Sequence, residues 1–308
     1  LLNLLVHKGK NEGFINKILY HKAISLNRNG EYKASIRVFD KLMIRFLENS
    51  SYYYKEIFYA TEANADNYIE TGNFESALFF CKKSIKILNK NKLKDSLIKF
   101  KVHHLLGVIQ NAMGKYNEAE SNYAIASNFI EDNLDRSISI NYSLGSLYKK
   151  LGKNKKSILH LKKSIKLIKE NYNIDNNTLA ACYNVISTTY CNLTKYDSSL
   201  YYQKMAIAIQ EKILHALHPR LAISYSNITR YYANIGQYST AIFFCKKAIK
   251  IQELTLDSFR LAISYGTLST IYVDMKEYYL ALKHSKNSIK ILESILNKNN
   301  PHIADNYG

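Results

Sequence analysis

Apolar residues along the chain fall in helical stripes separated by short turns. In one segment Ala222, Tyr225, Ile228 and Tyr232 share a face, because side chains three or four apart lie on one side of a 3.6-residue turn. In the next segment Ala241, Cys245, Ala248 and Ile249 do the same. The turn between such stripes is short, which predicts two antiparallel helices in contact. Small residues just after the turns, Ala77, Ala119, Ala241 and Ala281, let these helices approach closely. Polar positions keep the same period. In FFCKKSIKIL, Phe79–Leu88, one face holds Cys81, Ser84 and Ile85, and the opposite face holds Lys82, Lys83 and Lys86. A near copy, FFCKKAIKIQ, spans Phe243–Gln252.

The pattern recurs with a fixed turn. GEYKAS begins at Gly30, GNFESA at Gly72, GKYNEA at Gly114 and GKNKKS at Gly152. TKYDSS at Thr194, GQYSTA at Gly236 and KEYYLA at Lys276 continue it, with spacings of 42, 42, 38, 42, 42 and 40 residues. Such a period marks stacked supersecondary units, none of which can bury its apolar face alone.

These residues resemble the tetratricopeptide repeat. Leu106-Gly107 and Leu144-Gly145 match its Leu-Gly pair, and Tyr68, Tyr148, Tyr190, Tyr232 and Tyr272 match its first-helix tyrosine. Ala126, Ala206 and Ala248 match its second small residue, with Ser84, Ser164 and Ser288 as substitutes. The usual period of the family is about 34 residues. The longer unit here, opening with HPRLAISYSN at His218–Asn227, is similar to that of kinesin light chains and many bacterial arrays.

The resemblance implies an all-α, right-handed α-solenoid of seven helix-turn-helix units. Their expected bounds are 14–50, 57–92, 97–132, 136–171, 177–214, 219–256 and 259–298, in one solenoid over 1–308. Pro301, Ile303, Ala304 and Tyr307 repeat the spacing of Pro219, Leu221, Ala222 and Tyr225, so 301–308 reads as a cut-off eighth unit. The sequence is therefore expected to be a piece of a longer protein.

Composition then narrows the function. A formal charge of +18 favours an acidic partner, nucleic acid or an anionic membrane. Yet 36 of the 43 basic residues are Lys and 7 are Arg, and Arg is the residue suited to bidentate phosphate and base contacts. No apolar run approaches the roughly 20 residues of a membrane span. Cys81, Cys182, Cys191 and Cys245 form no CxxC pair and read as small buried side chains in a reducing, cytoplasmic compartment. His215 and His218 form an HxxH without a supporting carboxylate, and Pro219 places them in a solvated joint between units. A phosphate loop, a GxSxG elbow and an HExxH helix are all missing. No enzyme, cofactor or metal is expected in these residues.

By resemblance, first helices line a concave groove. That places Glu62, Asp66, His104, Asn111, Tyr142, Ser146, Asn184, Thr188, Ser226, Arg230 and Thr270 in a peptide-binding lining. The expected function is a protein-interaction scaffold that binds a peptide or partner protein, as the sensor or adaptor arm of a larger protein with a C-terminal effector domain. The alternative is electrostatic binding of nucleic acid or anionic membrane through the Lys-rich second helices, a face read here as solvated.

Overall fold

The computed structural model describes residues 12–48, 53–90, 96–172, 176–255 and 257–295. Among them are fourteen α-helices and no strand. In chain order these are α1 (Glu12–Arg28), α2 (Tyr32–Glu48), α3 (Tyr54–Glu70), α4 (Phe74–Lys90), α5 (Ser96–Ala112), α6 (Tyr116–Ser127) and α7 (Leu134–Lys150). Then follow α8 (Asn154–Asn171), α9 (Asn177–Asn192), α10 (Tyr196–Ile213), α11 (Pro219–Asn234), α12 (Tyr238–Leu254), α13 (Ser258–Asp274) and α14 (Tyr278–Ile295). They form seven helix pairs, as the repeat predicts, and the eighth unit lies outside the described residues. The chain divides into two compact units, Leu1–Leu167 and Ile168–Gly308.

Packing follows one scheme within each unit. Second helices rest on the next first helix (α2 on α3, α4 on α5, α6 on α7; α10 on α11, α12 on α13). Consecutive first helices also touch: α1 and α3, α3 and α5, α5 and α7 in the first unit, α9 and α11, α11 and α13 in the second.

Each pair is closed by the same turn. Gly30, Gly72, Gly114, Gly152 and Gly236 have φ between 69° and 81°. The residue after each donates its N–H to the carbonyl five positions back, as in Asn73 to Tyr68 at 2.8 Å and Gln237 to Tyr232 at 2.9 Å. This six-to-one bond with a left-handed residue is the Schellman closure, which glycine adopts without a Cβ penalty. Thr194 (φ 57°) and Lys276 (φ 63°) hold the same place without being glycine. Thr194 is exposed and β-branched, so its strain has no packing compensation. Thr194→Gly is expected to raise stability by about 1 kcal/mol. Gly236, beside which a Cβ would meet nothing within 4 Å, should lose a similar amount on conversion to Ala. Thermal denaturation of the two variants checks both signs.

Two further slots define a pair, and both span twelve residues across the turn. At the helix crossing both partners are small. Where one is serine, its hydroxyl takes up a carbonyl of the facing helix. Ser35 Oγ donates to Ala23 O (2.8 Å), Ser157 Oγ to Gly145 O (2.7 Å), Ser187 Oγ to Ser199 O (2.8 Å) and Ser269 Oγ to Ala281 O (2.8 Å). The first-helix tyrosine meets a ring on the second helix. Tyr68 stacks on Phe80, Tyr190 on Tyr202, Tyr232 on Phe244 and Tyr272 on His284, with centroids 5.4–5.9 Å apart and planes within 15°. Tyr148 and His160 make the same pair with a 34° tilt. In the third pair the rings are replaced by two carboxamides, Asn122 Nδ2 donating to Gln110 Oε1 at 2.9 Å.

Candidate functional site

The side chains expected to line a groove lie on first helices, and three of them, Glu62, His104 and Asn184, are engaged with the neighbouring first helix. Lys101 of α5 reaches back to Glu62 of α3 at 2.7 Å. His104 Nε2 of α5 lies 2.8 Å from Ser143 Oγ of α7. Lys150 Nζ of α7 donates to the carbonyl of Asn111 at 2.8 Å. Asn27 and Asn67 pair across α1 and α3 at 2.8 Å. In the second unit Asn184 Oδ1 accepts from Gln203 of α10 (2.7 Å) and Ser224 of α11 (3.0 Å). These contacts between first helices join residues 39 or 40 apart. These groups hold the register between repeats, because a polar group at a packed seam must be paired to offset its desolvation.

The remaining predicted positions divide by exposure. Asn111 and Thr188 are buried, and Thr188 Oγ1 donates back to Val185 O at 2.9 Å. Tyr142, Ser146 and Ser226 are half-buried. Asp66, Arg230 and Thr270 are exposed, although Thr270 Oγ1 also bonds Gly266 O at 3.2 Å. Six of the eleven expected positions are thus exposed or half-buried and take no part in the first-helix contacts above. Asp66, Tyr142 and Ser146 stand in the first unit, and Ser226, Arg230 and Thr270 in the second.

The titratable groups nearby are tuned by burial. The His104 imidazole lies parallel to Phe100, centroids 5.4 Å apart, and near Tyr123. Burial pushes its pKa down to about 4. The Cys81 and Cys245 thiols are buried and pushed up to about 12, which leaves them without thiolate character at neutral pH. Cys191 is only part-buried, unlike its three counterparts. His218, expected in a solvated joint, is buried instead. It caps α11, its Nδ1 accepting from the Arg220 N–H at 3.1 Å, with Pro219 opening the helix. Among the described residues no three His, Cys, Asp or Glu side chains converge on a point that could hold a metal. Nor is any helix long and apolar enough to cross a membrane.

On the opposite side, Lys82, Lys83 and Lys86 are exposed and Cys81 and Ser84 buried, as the helical period requires. Residues flanking the lysines escaped the sequence reading. Phe79 is 59% exposed and Phe243 55%. They share a slot, seven residues after the turn residue, with exposed Leu159 (67%) and Tyr201 (60%). Aligning the seven turns and tabulating that slot would have revealed the run.

Family models of the tetratricopeptide repeat match residues 138–171, 179–220 and 222–253. These segments hold α7 with α8, α9 with α10, and α11 with most of α12. These segments carry tetratricopeptide repeats. Solved structures carry the same fold. A Rap protein complexed with Competence and Sporulation Factor is 15% identical with a TM-score of 0.67, covering 90% of this chain and 76% of that one. A signal transduction ATPase with numerous domains and a tetratricopeptide repeat sensor, from Pyrococcus horikoshii, is 15% identical with a TM-score of 0.63. That match covers 92% of this chain and 42% of the ATPase. BtubC (BKLC) from P. vanneervenii is 17% identical with a TM-score of 0.62, covering 74% and 94% of the two chains. At these identities the likeness is one of fold. No curated protein matches this chain in sequence.

Proposed function

We propose that the protein is a non-catalytic interaction scaffold that takes an extended peptide or a partner segment along its first-helix faces. It would serve as the sensor or adaptor arm of a larger signalling protein. The observation that carries this reading is a division of labour on the first helices. Seam residues such as Glu62, His104 and Asn184 bond to neighbouring helices, while Asp66, Arg230 and Thr270 project into solvent. Within each unit, outward polar groups beside paired seams suit a ligand with an unpaired backbone, because they supply hydrogen-bonding partners at a small ordering cost. The Rap protein seen with Competence and Sporulation Factor and the ATPase whose repeats are described as a sensor lend support by analogy of fold.

Selection from a displayed peptide library, followed by titration of the best binder, tests this reading. Arg230→Ala or Asp66→Ala should weaken binding at least tenfold, the residue that matters depending on which unit holds the peptide. Lys82→Ala, on the second-helix side, should change it less than twofold. If neither first-helix variant affects any selected peptide, the proposal falls. If affinity follows Lys82 and collapses between low and physiological salt, the function belongs to the second-helix face.

A further inference from the structure

The second-helix side carries a feature of its own in the second unit. A cavity of about 310 Å³ opens between α10 and α12. Its lining includes the buried Ile207 and Ile228, which make the inner floor, and the more exposed Phe243 and Phe244. Such a volume lies at the low end for ligand sites, so it suits one or two large side chains rather than a cofactor. Its mouth is charged. Lys204 and Lys247 stand there with one carboxylate, Glu211. That carboxylate is already engaged, accepting from Tyr225 Oη at 2.6 Å and lying 3.9 Å from Lys247 Nζ. Lys247 is also held in place by rings, its Nζ 5.1 Å from the Tyr225 and Phe243 centroids and 5.9 Å from that of Phe244. The mouth therefore keeps a positive excess, with one ammonium fixed beside an apolar recess and an exposed phenyl ring.

We propose that this cavity is a docking site for a segment of a partner protein in which a bulky apolar residue stands beside aspartate or glutamate. The apolar side chain fills the recess, and the carboxylate meets Lys204 and Lys247. Charge complementarity selects this occupant. Two lysines against one engaged glutamate leave a carboxylate the favoured neighbour, and ammonium groups already close to desolvating rings gain most from it. A flat bilayer cannot fill a recess between two helices, and a nucleic acid has no bulky aliphatic side chain to bury against isoleucines, while its phosphates would lie beside Glu211. This surface is separate from the first-helix faces proposed above and goes beyond that reading.

The test uses the whole chain and a labelled twelve-residue peptide alternating aspartate with phenylalanine and leucine. Two control peptides carry asparagine for aspartate, or alanine for the apolar residues. Anisotropy should show binding of the first peptide and at least tenfold weaker binding of both controls. Lys204→Glu and the cavity-filling Ala208→Phe should each weaken the first peptide at least tenfold. Both positions lie at the solvent-facing mouth, and circular dichroism confirms the fold of each variant. Arg230→Ala should leave this binding unchanged. The proposal is overturned if the peptide fails to bind at millimolar concentration, if the asparagine control binds equally, or if Ala208→Phe has no effect. Tighter binding to phosphatidylserine vesicles or an oligonucleotide through the same lysines would also overturn it.

Discussion

Gly107→Ala is expected to destabilise the protein by about 2 kcal/mol, whereas Gly266→Ala is expected to stabilise it by about 1 kcal/mol. Both glycines lie inside first helices, α5 and α13, where alanine is the better helix former. The helix preference therefore favours each change equally, and packing decides the sign. A Cβ on Gly107 would stand 2.5 Å and 2.6 Å from Cε1 and Cδ1 of Tyr123. That ring is fully buried, so the helices must separate or the ring must leave its rotamer. A Cβ on Gly266 would meet only Ser288 Oγ, at an ordinary 3.6 Å. Urea denaturation of the two variants measures the difference, and shifts of one sign would show that backbone propensity governs both sites. Gly145 resembles Gly107, with Leu161 Cγ at 2.6 Å and the Ser157 carbonyl at 3.3 Å. The Leu-Gly pairs are thus places where a second-helix side chain crosses over the first-helix backbone.

Acidification from pH 7 towards 4 is expected to remove up to about 3 kcal/mol of stability through His104 alone. Burial holds its folded pKa near 4, below the ordinary 6.5, and Lys101 adds to the depression. The unfolded chain then binds a proton that the folded chain refuses. Stability is complete above pH 6.5 and falls as the pH drops from 6.5 to 4. Burial likewise lowers the pKa of His160, beside Lys163 and Lys156, and of His284, beside Lys283 and Lys246, in the same direction. Denaturation midpoints at pH 7, 5.5 and 4.5 give the profile. His104→Gln keeps a polar partner for Ser143 and should flatten the profile markedly. Equal acid losses in the wild type and His104→Gln would sink this account.

The helix pairs were legible in the sequence because each obeys a local rule. Ala222, Tyr225, Ile228 and Tyr232 are all buried where the period puts them, and Lys82 and Lys83 are exposed. Gly30 and Gly72 marked turns because only a left-handed residue closes them. The first-helix tyrosines were visible too, but their stacking partners were not. Phe80, Asn122, His160 and Tyr202 share a slot without sharing chemistry. The candidate site was read less well for a related reason. Helical period assigns a residue to a face, but it cannot show whether the next helix claims that face. Glu62, His104 and Asn184 stand on first helices, yet Lys101, Ser143 and Ser224 bind them from residues 39 or 40 positions along the chain. Exposure of Phe79 was legible from the period as well, since it stands three, four and seven residues before Lys82, Lys83 and Lys86 on one face.

The twelve-residue interval between stacked rings bears on how such a chain can change length. One residue added within the turn would rotate the second ring about 100° around its helix, away from its tyrosine. The turn can exchange its amino acids, as Thr194 and Lys276 do, but cannot lengthen. Insertions and deletions are confined to the far end of the second helix and the joint beyond it. The 38-residue spacing from Gly114 to Gly152 obeys this restriction. Its second helix, α6, ends after 12 residues where the α4 and α10 helices run 17 and 18, while the Gln110–Asn122 contact keeps its interval.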